Sequence, residues 1–313
     1  MNKIVLALSG LVFISCGNEA SQNRTSLDES SDKHYPTISG YSTDLRLNEI
    51  SGMVRSEKHP NSFWVHNDSG DEPRLFRVND SLEILQEVSL QGITNLDWED
   101  IAIAQLNGTA TLFVGDIGDN AAVRDTITIY AVEEPDLAVE RIERSQIKAT
   151  HLIYEDGPRD AEALLVDPTY LEWVIITKRD AVSRVYSSPI SEQTNEILSF
   201  KGNLNLPERV QLTSKELNRI TAADSNPKMG LVLVKNYHEI YGYTSNTTRL
   251  SYTLTELTPE VYPYTKELQG EAIALDLENW GYWTTSECAD DGTKHIAQPM
   301  YYYPIGSETT GDQ

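Results

Sequence analysis

The sequence predicts an all-β domain, a β-propeller of four-stranded blades. Three observations carry that expectation. A short motif recurs five times, at residues 48–53 (NEISGM), 98–103 (WEDIAI), 161–166 (AEALLV), 220–225 (ITAADS) and 270–275 (GEAIAL). Its polar residues, Glu49, Glu99, Glu162, Thr221 and Glu271, stand 50 to 63 residues apart, a length that suits four short strands with their turns. The runs after each motif are rich in β-branched and aromatic residues, and Gly, Asn and Asp punctuate them.

In chain order, residues 35–47 hold an orphan strand-like stretch ahead of the first repeat. The first unit continues through SFWVHND, RLFRV and LEILQEVSL, the second through TLFVGDIGD, TITIYAV and IKATHLIYE. The third adds EWVIITKRD, SRVYSS and NEILSFKGN, and the fourth GLVLVKNYH, EIYGYT and RLSYTLTEL. The fifth has GYWTTSEC and QPMYYYPI but no fourth run before Gln313. Closure by the N-terminal strand would complete that blade and remove open sheet edges. Five blades are therefore expected; six is the alternative and needs a blade the sequence does not show. No long amphipathic helix is evident, residues 137–147 being the nearest candidate. The five tryptophans fall mostly inside strand runs, as blade-to-blade packing would require.

The first 34 residues read differently. Lys3 and the apolar run 4–14 fit a signal peptide over residues 1–15 and are too short to span a bilayer. Cys16 follows a run that resembles the lipobox of bacterial lipoproteins, in which the cysteine is lipidated, so residues 16–34 are expected to be a lipidated Cys16 and a flexible polar tether. Residues 35–313 would form the propeller. This implies an extracytoplasmic lipoprotein, periplasmic or at the cell surface, held to the membrane by its lipid. Cys288 is left unpaired.

Composition limits the partners. With 39% hydrophobic residues the chain can build a core, and 25 Lys and Arg against 48 Asp and Glu give a net charge of −23. Such a field repels nucleic acid and suits cations. A monomer acting on a small-molecule or protein ligand is expected.

A meander fixes where the acids converge. If each motif opens the innermost strand, Glu49, Glu99, Glu162, Thr221 and Glu271 ring one mouth of the central tunnel. The loops after the second strands share that face and bring Asp68, Asp116, Asp119, Lys178, Lys235 and the segment from Glu287. Glutamates confined around one axis raise one another's pKa unless something neutralises them. One answer is calcium, a hard cation that takes six to eight oxygens. Glu49, Asp68, Asp97, Glu99, Asp116, Asp119, Glu162 and Glu271 are the candidate ligands. The other answer is an ion-pair ring with Lys178, Lys235 and Arg124, and both can hold on opposite sides of the mouth. The six histidines are scattered, so zinc is not favoured. The Asp116-x-Gly-Asp119-Asn120 segment reads either as a calcium loop without the EF-hand spacing or as an Asx-rich turn.

The strings NEISGM, WVHNDSGD, DWEDIAI, LFVGDIGDN, DAEALLV and VIITK resemble, in that order, a largely uncharacterised group of exported bacterial β-propeller proteins. The likeness spans roughly residues 45 to 290. More distantly, the acidic mouth is similar to the calcium-dependent β-propeller phytases, which hydrolyse phosphoesters. That pattern does not match residue by residue, so the resemblance implies a fold and calcium, and no catalytic role is carried over.

Two functional readings follow. The first is a calcium-binding propeller that presents its acidic face to a ligand or partner. The second is a calcium-dependent hydrolase of phosphoesters or other esters, with metal-bound water as nucleophile. There Lys178 and Lys235 would stabilise developing charge, and Asp97 or His66 would handle protons.

Overall fold

The computed structural model describes residues 36–208, 211–244, 248–290 and 295–306. They fall within one compact unit, His34–Gln313. The signal segment, Cys16 and the tether expected over residues 1–34 lie outside the described residues.

The chain begins with β1 (Thr37–Tyr41), then forms an antiparallel meander of β2 (Ile50–Arg55), β3 (Ser62–Asn67), β4 (Arg74–Asn79) and β5 (Ile84–Leu90). A second meander opens with β6 (Trp98–Leu106), β7 (Thr109–Asp116) and β8 (Ile127–Glu133). The connection then lends the two-residue β9 (Arg141–Ile142) to the outer edge of β5, in parallel, before β10 (Lys148–Tyr154) pairs with β8. The third meander is β11 (Ala161–Asp167), β12 (Glu172–Thr177), β13 (Arg184–Pro189) and β14 (Asn195–Asn203). Its outer strand β14 pairs in parallel with β10, so the second and third meanders form one eight-stranded sheet. The fourth contains β15 (Ile220–Asn226), β16 (Leu231–Asn236), β17 (Ile240–Thr244) and β18 (Glu260–Tyr262). The last has β19 (Ala272–Asp276) and β20 (Gly281–Thr285), a hairpin of β21 (Ala289–Asp290) with β22 (His295–Ile296), and β23 (Pro299–Pro304) against β20. Strand β1 pairs with β23, making the order β1-β23-β20-β19.

The inner strands form a closed ring: β2 packs on β6, β6 on β11, β11 on β15, β15 on β19, and β19 returns to β2. Strands converging on an axis have little room, and the motif answers with small residues, Gly52, Ala102, Ala163, Ala222 and Ala274. Larger side chains fill the widening spaces between neighbouring sheets, where five apolar clusters lie. Phe63 meets Trp283 edge-on at 5.4 Å between the first and last meanders, and Phe113 meets Trp173 at 5.1 Å between the second and third. Burying each such side chain contributes about 1.5–3 kcal/mol. The architecture is all-β and propeller-like.

Two local expectations need correction. The fourth-strand reading of RLSYTLTEL fails, because a single-turn helix α1 (Ser214–Leu217) precedes β15 and Leu250–Glu256 forms a second helix, α2. The buried residues of α2, Leu250, Ser251, Thr253 and Leu254, follow the three-to-four spacing of a helix that rests one face on the core. The helix candidate over residues 137–147 is instead β9 and a 3-10 turn at Arg144–Gln146.

Candidate metal centre

Four of the five inner strands are bulged at the same place. Pairing slips between Ile50 and Gly52, Trp98 and Asp100, Ala161 and Ala163, and Ile220 and Ala222. The extra residues are Ser51, Glu99, Glu162 and Thr221. A bulge re-aims the side chain it carries. Glu271 directly precedes the first pair of β19, Ala272 with Thr285. The bulges therefore align Ser51, not Glu49, with Glu99. The two hydroxyl-bearing positions stitch neighbouring strands together: Ser51 Oγ donates to Glu99 O (2.7 Å) and Thr221 Oγ1 to Gly270 O (2.9 Å).

The glutamates at this mouth meet aspartates from the adjoining loops. Asp68, Asp97 and Glu99 form one triad, and Glu99, Asp160 and Glu162 a second, with one carboxylate oxygen of each residue within 4.8 Å of the others. Glu99 belongs to both. It is 4% exposed, and among the described residues its carboxylate has neither a hydrogen-bond donor nor an ion-pair partner. Burial, then Glu162 and Asp68, raises its pKa well above the usual carboxylate range. Burial, then Asp68 and Asp160, raises Asp97 to about 6. Asp68 is raised too, mainly by burial.

Asp160 was not anticipated, yet a signal existed. It precedes Glu162 by two residues as Asp97 precedes Glu99, so D-x-E occurs twice at this edge of the ring.

The loop after β7 closes over the first triad. A Cβ at Gly118 would collide with Glu99 Oε1 and the Asp97 carboxylate, so any larger residue would displace these carboxylates. Arg124 pins the loop: Nη2 donates to Asp116 Oδ1 (2.7 Å), Nη1 to Gly118 O (2.6 Å), and its backbone N–H to Asp119 Oδ2 (2.7 Å). Asp119 N–H in turn donates to Asp160 Oδ1 at 2.8 Å. Asp116 and Asp119 thus shape the loop and are in neither triad. Glu49 is half-buried and also outside them, its carbonyl accepting from Asp68 N–H at 2.8 Å.

Cationic side chains occupy the other side. Lys178, 3% exposed, pairs with Glu162, lies 3.5 Å from Glu271 Oε1 and donates to Tyr237 OH at 3.0 Å. Burial opposes its charge, but Glu162 and Glu271 outweigh that and hold its pKa up. Tyr237 OH donates to Glu271. Arg179 reaches Asp160 Oδ2 at 2.7 Å and also donates to Asn120. Burial, then Glu271, raises Glu287 to about 9, so it is protonated at neutral pH. Lys235 is fully buried and pairs with Glu267 at 2.6 Å, above the Tyr264 ring; burial lowers its pKa. His66 is equally buried, with Nδ1 3.0 Å from Asn67 O and its ring edge-on to Trp98. Burial pushes it down to about 4, so it is neutral at physiological pH.

No protein-family model and no curated protein matches the sequence. Solved structures do resemble the fold. The major Malassezia sympodialis allergen Mala s 1 aligns over 86% of this chain and 95% of its own, at 7% identity and a TM-score of 0.51. The PQQ-bound aldose sugar dehydrogenase of Streptomyces coelicolor aligns over 85% of this chain and 96% of its own, at 9% identity and a TM-score of 0.44. The nidogen/laminin complex aligns over 80% and 79%, at 12% identity and 0.39. At such identities the likeness concerns fold alone.

Proposed function

We propose that the chain is a five-bladed β-propeller, closed by its N-terminal strand, that binds calcium at its acidic mouth and presents that face to a ligand. The five inner strands packed in a ring, and β1 beside β23, support the blade count and the closure. Glu99 is the observation that carries the calcium reading: a buried carboxylate shared by two triads, with no hydrogen-bond donor and no ion pair among the described residues, Lys178 acting on it only from beyond ion-pair distance. Burying an uncompensated charge is costly, and a bound cation removes the cost. Asp68, Asp97 and Glu99 would hold the ion. Asp160 and Glu162 are already neutralised in large part by Arg179 and Lys178, which favours one strong site. The likeness of the run before Cys16 to a lipobox supports a protein carried outside the cytoplasm on a lipid anchor at Cys16.

Titrating Ca²⁺ into the purified protein by calorimetry, with melts on the same samples, tests the reading. Micromolar or tighter binding should accompany a rise in Tm, since a ligand of the folded state stabilises it. Absence of both heat and shift would overturn it.

A hydrolytic reading draws on one further observation. Arg179, 38% exposed at its side chain, stands at the edge of the second triad, where it could meet an anionic group of a substrate held by the cation. Calcium-dependent turnover of p-nitrophenyl phosphate that falls in Arg179→Ala, with calcium affinity unchanged, would support it. Turnover absent across a phosphoester panel would leave ligand binding as the function.

A further inference from the structure

The ring has a second end. Away from the bulges, the last residues of the inner strands frame a cavity of about 480 Å³, within the range of small-molecule sites. Val54 of β2, Ile103 of β6, Val166 of β11 and Leu275 of β19 form apolar walls, and Asp224 of β15 supplies a carboxylate.

That carboxylate is incompletely satisfied. Oδ1 accepts from Ser225 N–H and Oδ2 from Leu275 N–H, each at 2.7 Å, one donor per oxygen. A carboxylate offers about four acceptor sites. Deeper in the ring, Asp100 accepts from Ile101 N–H (2.9 Å), Leu164 N–H (2.8 Å) and Ala223 N–H (3.4 Å). No cation among the described residues acts on Asp224. Arg55, on the cavity rim, is held by Asp276 at 2.9 Å and Glu278 at 2.6 Å.

We propose that this end of the ring binds a small organic amine, its ammonium on Asp224 and its apolar body against Val54, Ile103, Val166 and Leu275. Neither element suffices alone: the walls accept an apolar group, and the unpaired carboxylate selects one that carries a positive, hydrogen-donating head. Ammonium donors fill the free acceptor sites with charge-assisted bonds, stronger than those of a neutral hydroxyl. Burial raises Asp224 to about 7, so near neutral pH part of the population carries a proton there. The ammonium favours the ionised form, and that proton passes to the buffer. The other charged groups facing the site are Asp100 above it and Glu57, Glu278, Arg55 and Lys228 around its rim.

Phenethylamine is the probe, and phenethyl alcohol its uncharged control. Calorimetry at pH 7 in two buffers of different ionisation enthalpy should show the amine binding at least about 10-fold more tightly, a difference of about 1.4 kcal/mol, with release of a fraction of a proton. Asp224→Asn should abolish the preference. Leu277→Trp narrows the cavity from its rim and leaves the carboxylate in place; it should weaken both probes, and it keeps the test valid if Asp224→Asn does not fold. Glu99→Gln should leave amine binding unchanged, which separates this site from the calcium mouth. Equal affinity for the two probes, or no amine binding at millimolar concentration, would overturn the proposal.

Discussion

At the scale of single residues, Glu99 is the most exposed to test. If its charge is uncompensated in the cation-free protein, Glu99→Gln should stabilise that form by about 1–3 kcal/mol, the scale of an unmet buried polar group. The same change should weaken calcium binding at least about 10-fold. Loss of affinity without the gain in apo stability would mean the carboxylate already has a partner. The pH dependence has a definite sign. Asp97 rises from 3.8 to about 6 on folding, so the native state holds more protons than the unfolded chain across that interval. Stability of the cation-free protein therefore falls as pH rises from about 4 through 6, and falls further as Glu99 ionises. Saturating calcium should flatten this slope, as melts at stepped pH would show. Glu162 behaves oppositely to Glu99 on substitution. Glu162→Gln removes the nearest partner of a buried lysine, and loss of such a pair costs about 3–5 kcal/mol, less here because Glu271 and Tyr237 remain beside Lys178. A Glu162→Gln protein with unchanged Tm and unchanged calcium affinity would contradict this account of the mouth.

At the scale of elements, the loop after β7 controls the site more than its own acids do. Gly118→Ala forces a methyl group into the Asp97 and Glu99 carboxylates, and overpacking of this kind costs about 1–3 kcal/mol. Calcium affinity should fall with it, whereas Asn120→Ala, on the exposed part of the loop, should leave affinity within about two-fold, as titration of both variants would reveal. The loop shows what sequence reading reaches and where it stops. GDIGDN was legible as an oxygen-rich turn beside the mouth, because Asp and Gly declare turns locally. That Arg124 would take up Asp116, and that Asp119 would brace Asp160 through its backbone, depends on a fold-back that spacing does not encode. The repeat was legible at strand level for the same local reason, since alternation and turn residues are short-range signals. Its register was not: sequence similarity set Glu49 beside Glu99, and only the bulges identify Ser51 as the equivalent. RLSYTLTEL misleads as a strand because β-branched and aromatic residues mask a helical spacing of buried positions.

For the whole molecule, the question is how the ring stays shut. Strand β1 comes from the start of the described chain and pairs with β23 at the outer edge of the last sheet, the edge opposite β19. Sequence reading expected β1 to join the last sheet from a shortage, since the fifth repeat lacked a fourth run while residues 35–47 held an unassigned one. It could not foresee the parallel pairing of β10 with β14, which links two meanders at their outer edges and needs the geometry of both sheets. The two joints should differ in consequence. Removing residues 37–41 bares the edge of β23, with Tyr301, Tyr302 and Tyr303 along it, and open aromatic edges promote association between chains. The truncated protein should melt lower, by about 2–4 °C for each kcal/mol lost in a domain of this size class, and should form soluble oligomers visible by light scattering. A proline at Ile197, within the parallel pair, should instead lower Tm without oligomers, because β14 keeps its antiparallel partner β13 and the ring keeps its closing strand. Calcium affinity provides the final discrimination. The proposed site would take its ligands from β6, the loop before it and the turn after β3, in the first two meanders, the first of which packs on the last through β2 and β19. A truncated protein that still binds calcium with near-native affinity would show that the inner ring holds without its closing strand, and one that loses the site along with its Tm would show that closure organises the mouth itself.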